Sequence, residues 1–366
     1  MAQIDLDVRP SPAQRIRRAS NGPVVSRWFR RRLWSPESNR TLADAVALQH
    51  REYDRAIPLV RIFYAISAYW VLGAINRWPN YRNSHALDPL WPVHWWFEHV
   101  SVSTGVDIIL TAYVVTGIVV ALLPELRVAR AAYAIALLQF GALQSTPDKV
   151  LGDLDLWVFL AIFLVFLPRG PWGALRGTAQ RQYFLMVIWS ALLFVLFLYT
   201  LAGWWKIHDA AFAFVHGHPS GFNPSGFSYI VGQRIEQTNQ TALFARFFSL
   251  HELPGWPLFL GTMYVEFCSV IIAFRPRLHR LWGVALIAFH LGTQLIMGFT
   301  FPQNIVVFGL FLVCSPFAPD RIDLKDALLD LPGLHFVVGR VRAFRRRMIH
   351  RRVPAPTAER QPEPAM

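Results

Sequence analysis

Eight predominantly apolar stretches alternate with polar and charged connections along the chain. Five are long: 56–75, 104–123, 183–203, 255–274 and 279–298. Three are shorter, 131–146, 154–168 and 303–318, each bounded by proline or charge. A membrane-crossing helix needs about 20 mostly apolar residues, and shorter runs can tilt, extend into their flanks or sit inside a bundle. The pattern predicts an all-α polytopic membrane protein with about eight transmembrane helices. Its parts are a basic N-terminal segment 1–55, a transmembrane domain 56–318 and a tail 319–366. The longest connection, 204–254, is predicted to be a long outer loop. Its last part carries Ile235, Leu243, Phe247 and Leu250 at helical spacing, as if to lie on the membrane surface or re-enter the bundle.

Composition sharpens this picture. The chain has 366 residues, 54% hydrophobic and 16% charged, with mean hydropathy +0.32. Soluble domains run near 45–50% apolar and about 25% charged. The balance excludes a disordered chain, a disulfide scaffold and an ordinary soluble enzyme. Cys268 and Cys314 lie within apolar runs and form no redox or thiolate-metal motif. No cleavable signal peptide is expected, because the first apolar run starts only near Ala56.

The formal charge of +13 fits either nucleic acid or a membrane, and its placement decides. Arginines gather on alternate connections: Arg9 to Arg55 before the first span, then Arg127 and Arg130, then Arg169, Arg176 and Arg181, then Arg275, Arg277 and Arg280. The opposite connections are poorer for their length. The positive-inside rule then places both termini in the cytoplasm of a cell-membrane protein. The tail RVRAFRRRMIHRR (340–352) sets Val341, Phe344 and Met348 against a basic face, which suits anionic lipid. Membrane lipids, not nucleic acid, are therefore the expected partners. The final PAPTAERQPEPAM has a disordered composition.

Against this topology one cation stands out. Lys206, one of three lysines among 36 basic residues, falls on the arginine-poor side beside Trp204 and Trp205. It lies about 34 Å along its helix from the cytoplasmic start, at the outer boundary. One reading is an aromatic belt with a snorkelling lysine; the other is a partly desolvated base at the mouth of a cavity, a role arginine cannot fill. Glu266 and His290 each lie about 15 Å into consecutive antiparallel spans. An ionisable group there costs at least about 2.5–3.5 kcal/mol unless paired, so a Glu266–His290 hydrogen bond is expected. Gln294, one turn beyond His290, and Gly298 extend a polar stripe towards the level of Lys206. Gln139 and Asp107 are further lining candidates. The histidines at 208, 216, 218 and 251 offer no third ligand at telling spacing, so no metal site is expected.

These residues carry a resemblance. The chain resembles the HTTM-domain membrane proteins, the family related to vitamin K-dependent gamma-carboxylases. The similarity spans about residues 50–320. It rests on IPLVRIFYAISAYWVLGAINRWPNY, on YTLAGWWKIHD, and on the paired helices from YVEFCSVIIAF to FLVCSPF. It implies a catalytic lysine at Lys206, in GWWK, that deprotonates a reduced quinone. It also implies a site histidine at His290, following Phe289. Glu266 joins them as a catalytic candidate, and Gln294 and Trp205 are candidates for binding the lipophilic cofactor. Those enzymes carry a histidine at the head of a middle helix, where this chain reads GDLDLWVFLAIF with Asp153 and Asp155. They also continue into a large lumenal domain, so carboxylation of a bound propeptide is not expected here.

Three functions follow as expectations. One is an outer cavity binding a quinone or other lipophilic substrate with Lys206 as base. Another is a non-catalytic transporter or lipid-binding module with a Glu266–His290 polar relay. The third is an accessory subunit whose 204–254 segment docks an extracytoplasmic protein partner.

Overall fold

The computed structural model describes residues 42–82, 90–145, 154–175, 177–238, 241–299, 301–321 and 323–333. Most of the basic N-terminal segment, Lys149, Asp153, Arg176, the basic tail 340–352 and the terminal PAPTAERQPEPAM lie outside the described residues. Among the described residues every regular element is a helix. Four helices are long and apolar enough to cross a membrane: Val46–Asn76, Val102–Leu122, Thr178–Val215 and Pro276–Met297. They mark the chain as a membrane protein. Two further apolar helices, Asp155–Leu164 and Pro302–Val313, are shorter. The chain forms two compact units, dividing between Leu192 and Leu193.

The first unit contains α1 (Leu42–Arg82), α2 (Val93–His99), α3 (Val102–Leu122), α4 (Arg127–Ser145), α5 (Asp155–Leu164) and the start of α6 (Thr178–Val215). On α3, Val106, Leu110, Tyr113, Gly117 and Val120 recur every three or four residues and are buried. Val115, Ile118 and Leu122 occupy the other side and are exposed. A helix apolar on both faces suits a lipid surround, where outward leucines carry no penalty. The core is aromatic. Trp157 stacks on Phe63 with ring centroids 4.3 Å apart, and Tyr113 stacks on Phe140 at 4.3 Å. Two polar groups inside it are tied together: the Trp157 indole donates to Ser67 Oγ at 3.0 Å, while Ser67 donates to the Phe63 carbonyl at 2.9 Å. Without water in a bilayer such groups need internal partners.

The second unit contains the rest of α6, then α7 (Pro224–Thr238), α8 (Ala245–Leu250), α9 (Glu252–Phe267), α10 (Ser269–Ile272), α11 (His279–Met297), α12 (Pro302–Phe308) and α13 (Leu324–Leu329). The connection 204–254, expected as a long outer loop with a helical last part, is largely helical. Helix α6 continues to Val215, and α7 and α8 occupy most of the remainder. The Gly/Pro/Ser-rich stretch around His216–Asn223 confines the break to a short turn. Phe227, Val231 and Ala245 form a small core joined by Ile235, Phe248, Phe259 and Ile296, so the segment packs on its own unit. Of the four residues whose helical spacing suggested a membrane-surface or re-entrant segment, Ile235 joins this core, whereas Leu243, Phe247 and Leu250 remain exposed.

The predicted span 255–274 is also interrupted. Helix α9 ends at Phe267, Cys268 lies in the break, and α10 resumes at Ser269. Side chains satisfy the break: the Val270 amide donates to Thr200 Oγ1 at 2.8 Å, and Ser269 Oγ donates to the Val265 carbonyl at 2.8 Å. Freed backbone groups at a helix interruption inside apolar surroundings require such substitutes.

Candidate functional site

The site is built on α6, α9 and α11 within the second unit. On α6, Tyr199, Gly203 and Lys206 are spaced by four and three residues, so they share one helix face. Gly203 sets the approach of α9. A Cβ added there would lie 2.4 Å from the Phe267 backbone nitrogen, 2.8 Å from its Cα and 2.9 Å from the Glu266 carbonyl carbon. Only glycine permits the two backbones to pass this closely.

One turn beyond Gly203, the Lys206 ammonium donates to both oxygens of Glu266, each at 2.6 Å. The carboxylate is buried, its side chain 3% exposed, while the lysine side chain keeps 34% exposure. The ammonium also lies 5.1 Å from the centre of the Phe289 ring on α11, within reach of a cation–π attraction. The pair is thus closed on the carboxylate side and open on the lysine side.

This contact changes the depth assignments. Sequence arithmetic put Lys206 at the outer boundary and Glu266 near the midplane, but a 2.6 Å pair sets both at one level. Hydropathy locates apolar runs, whereas the helices here start before them and continue past them: α6 runs nine residues beyond Lys206 and α9 starts at Glu252. The expected Glu266–His290 bond is likewise replaced. His290 Nε2 instead shares a 2.5 Å hydrogen bond with the Tyr199 hydroxyl.

His290 is 4% exposed and enclosed by aromatic rings, with Phe301 at 5.0 Å and Phe308 at 5.7 Å between centroids. Its Nδ1 and the Oδ1 of buried Asn304 have no hydrogen-bond partner. Asn304 also lies within hydrogen-bonding reach of Tyr199. Two polar pairs therefore occupy the unit, Lys206–Glu266 and Tyr199–His290, and Lys206 is close enough to His290 to act on it electrostatically.

The remaining sequence candidates fall elsewhere. Gln294 and Trp205 are exposed, and Trp205 packs edge-on to His208 at 5.6 Å. Asp107 and Gln139 belong to the first unit, where they accept the indole N–H groups of Trp78 at 2.8 Å and Trp96 at 3.2 Å. His216 and His251 each engage a backbone carbonyl one turn earlier through Nδ1. Among the described residues no three histidine, cysteine or acidic side chains group as a metal site.

Tyr199, Gly203, Thr200 and Asn304 were missed by sequence reasoning. For Tyr199 and Gly203 the signal existed, as the four-and-three spacing back from Lys206. For Asn304 there was none beyond one amide in an apolar run.

Chemically, the arrangement offers an amine whose proton has an acceptor at 2.6 Å, with one side of that amine accessible. Comparison with known proteins adds nothing to this geometry. No family model, curated protein or solved structure matches the chain.

Proposed function

We propose that the chain is a polytopic cell-membrane protein of the HTTM type, crossing about eight times with both termini cytoplasmic. In this reading Lys206 and Glu266 are the proton-exchange couple of an outer-facing site for a lipophilic substrate. The resemblance to vitamin K-dependent carboxylases makes a reduced quinone the substrate to test first. The observation that carries the reading is the Lys206–Glu266 pair, two 2.6 Å bonds from a part-exposed ammonium to a buried carboxylate.

An ion pair excluded from water loses much of its hydration, so its ionic and neutral forms draw closer in energy. Passage of one proton from Nζ to the carboxylate leaves a neutral amine and a carboxylic acid. The amine lone pair can then take the proton of a substrate hydroxyl, leaving the oxyanion beside a newly formed ammonium. His290 and Tyr199 stand apart as a second polar pair able to orient a substrate oxygen.

Lys206→Arg separates the chemistry from the fold, because arginine keeps the ion pair but does not give up its proton. In a quinol- and oxygen-dependent turnover assay, Lys206→Arg and Glu266→Gln are expected to lose activity while remaining folded. Full activity in Lys206→Arg would refute a proton-exchange role. The transporter reading with a direct Glu266–His290 relay is weaker, since Glu266 is engaged by Lys206 and His290 by Tyr199. Proton-coupled flux in liposomes that disappears in Glu266→Gln would restore it.

A further inference from the structure

The first unit carries a groove distinct from the polar pairs of the second. It encloses about 710 Å³ and is lined by Arg61, Leu122, Leu123, Glu125, Leu126 and Gly170, among others. Its volume falls within the about 300–1,000 Å³ typical of small-molecule sites. The walls are α1, the end of α3 and the two connections that follow α3 and α5. Arg130 binds those connections together: fully buried, it donates to the Pro124 carbonyl at 2.8 Å and the Leu167 carbonyl at 2.7 Å, over the Trp172 ring. Its guanidinium contacts carbonyls and no carboxylate, and its Nε is unpartnered. A buried cation held by carbonyls, with no direct carboxylate contact, therefore stands behind the groove wall.

The rim repeats this charge. Arg61 is exposed and bonds Glu125 at 2.7 Å, while Arg127 and Arg169, adjoining the lining residues Leu126 and Gly170, are exposed. Glu125 is the single carboxylate in the lining. Beside these charges Leu122 is 74% and Leu126 53% exposed. A cationic rim continuous with outward leucines at the end of a membrane-length helix has the two-part chemistry of a lipid: a phosphate for the arginines and acyl chain for the leucines.

We infer that this groove is a binding site for one anionic phospholipid, its phosphate held by Arg61, Arg127 and Arg169 and its acyl chain lying along Leu122 and Leu126. Glu125 tempers the site by occupying Arg61. Nothing in this depends on the Lys206 chemistry or on which face of the membrane is cytoplasmic.

The test uses the full-length protein in phosphatidylcholine nanodiscs doped with a photoactivatable phosphatidylglycerol or phosphatidylcholine probe, with labelled peptides mapped by mass spectrometry. Labelling at Leu122–Leu126 by the anionic probe should exceed that by the zwitterionic probe about five-fold or more, since each nearby arginine favours an anionic headgroup by roughly that factor. Arg127→Gln with Arg169→Gln should remove the preference, and Glu125→Gln should raise it by freeing Arg61. Leu122→Trp, which fills the groove but keeps its charges, should reduce labelling by both probes. Equal labelling by the two probes, or an unchanged preference in the double variant, overturns the assignment. So does competition by millimolar glycerol phosphate, which would show that a soluble phosphate ester suffices.

Discussion

Gly203 is the sharpest mechanical test of the site. Its absent side chain lets α6 and α9 approach until an added Cβ would sit 2.4 Å from a backbone nitrogen. Gly203→Ala must therefore push the helices apart, because the obstacle is backbone and cannot rotate away. Relieving the clash requires roughly 1 Å of separation, and overpacking of this kind costs about 1–3 kcal/mol. The same movement stretches the Lys206–Glu266 bonds from 2.6 Å towards about 3.6 Å, which at an effective dielectric of 20 loses roughly 2 kcal/mol of attraction. The total expected loss is about 3–5 kcal/mol. Reversible unfolding in mixed micelles measures it. A double-mutant cycle with the charge-free pair Lys206→Met and Glu266→Gln then isolates the electrostatic share. With no pair left to stretch, Gly203→Ala should cost about 2 kcal/mol less than in the wild type. A loss below about 0.5 kcal/mol in the single variant, or strict additivity in the cycle, would refute the claim that Gly203 sets this ion pair.

Other consequences follow from the polar contacts around this geometry. Tyr199→Phe leaves the second His290 ring nitrogen without its partner and should cost about 1–3 kcal/mol in the same unfolding assay, with Lys206 and Glu266 unaffected. Thr200→Val removes the acceptor for the Val270 amide at the α9–α10 break, so hydrogen exchange at Val270 should accelerate selectively. Arg130→Ala strips the donors from the Pro124 and Leu167 carbonyls; a loss of at least about 2 kcal/mol is expected, and Arg130→Lys should recover only part of it.

Much of the architecture was legible because membrane segments are declared by local composition. The runs 56–75 and 183–203 fall within helices long and apolar enough to cross a bilayer, and 104–123 and 279–298 lie within two more except for their last residue. Placing Glu266 and His290 on the suspect list required only the cost of charge in hydrocarbon, and Lys206 stood out by its place on the arginine-poor side. Helix ends were less legible. Residues 204–215 continue α6 although they include Lys206, His208 and Asp209, because backbone helicity persists where hydropathy falls away. The break at Cys268 was invisible, since the freed Val270 amide is taken up by Thr200 on another helix, outside the local pattern.

Local composition alone thus establishes a helical membrane chain, the approximate sites of its apolar runs and the three ionisable residues needing partners. It could not choose those partners. That choice depends on how each helix is rotated and how near its neighbour lies, and on α6 both are set by Gly203 against the α9 backbone. Close approach delivers Lys206 to Glu266 and leaves His290 to Tyr199. Pairing across helices is a property of distances between segments, whereas hydrophobic pattern is a property of one segment, so only the folded chain could decide it.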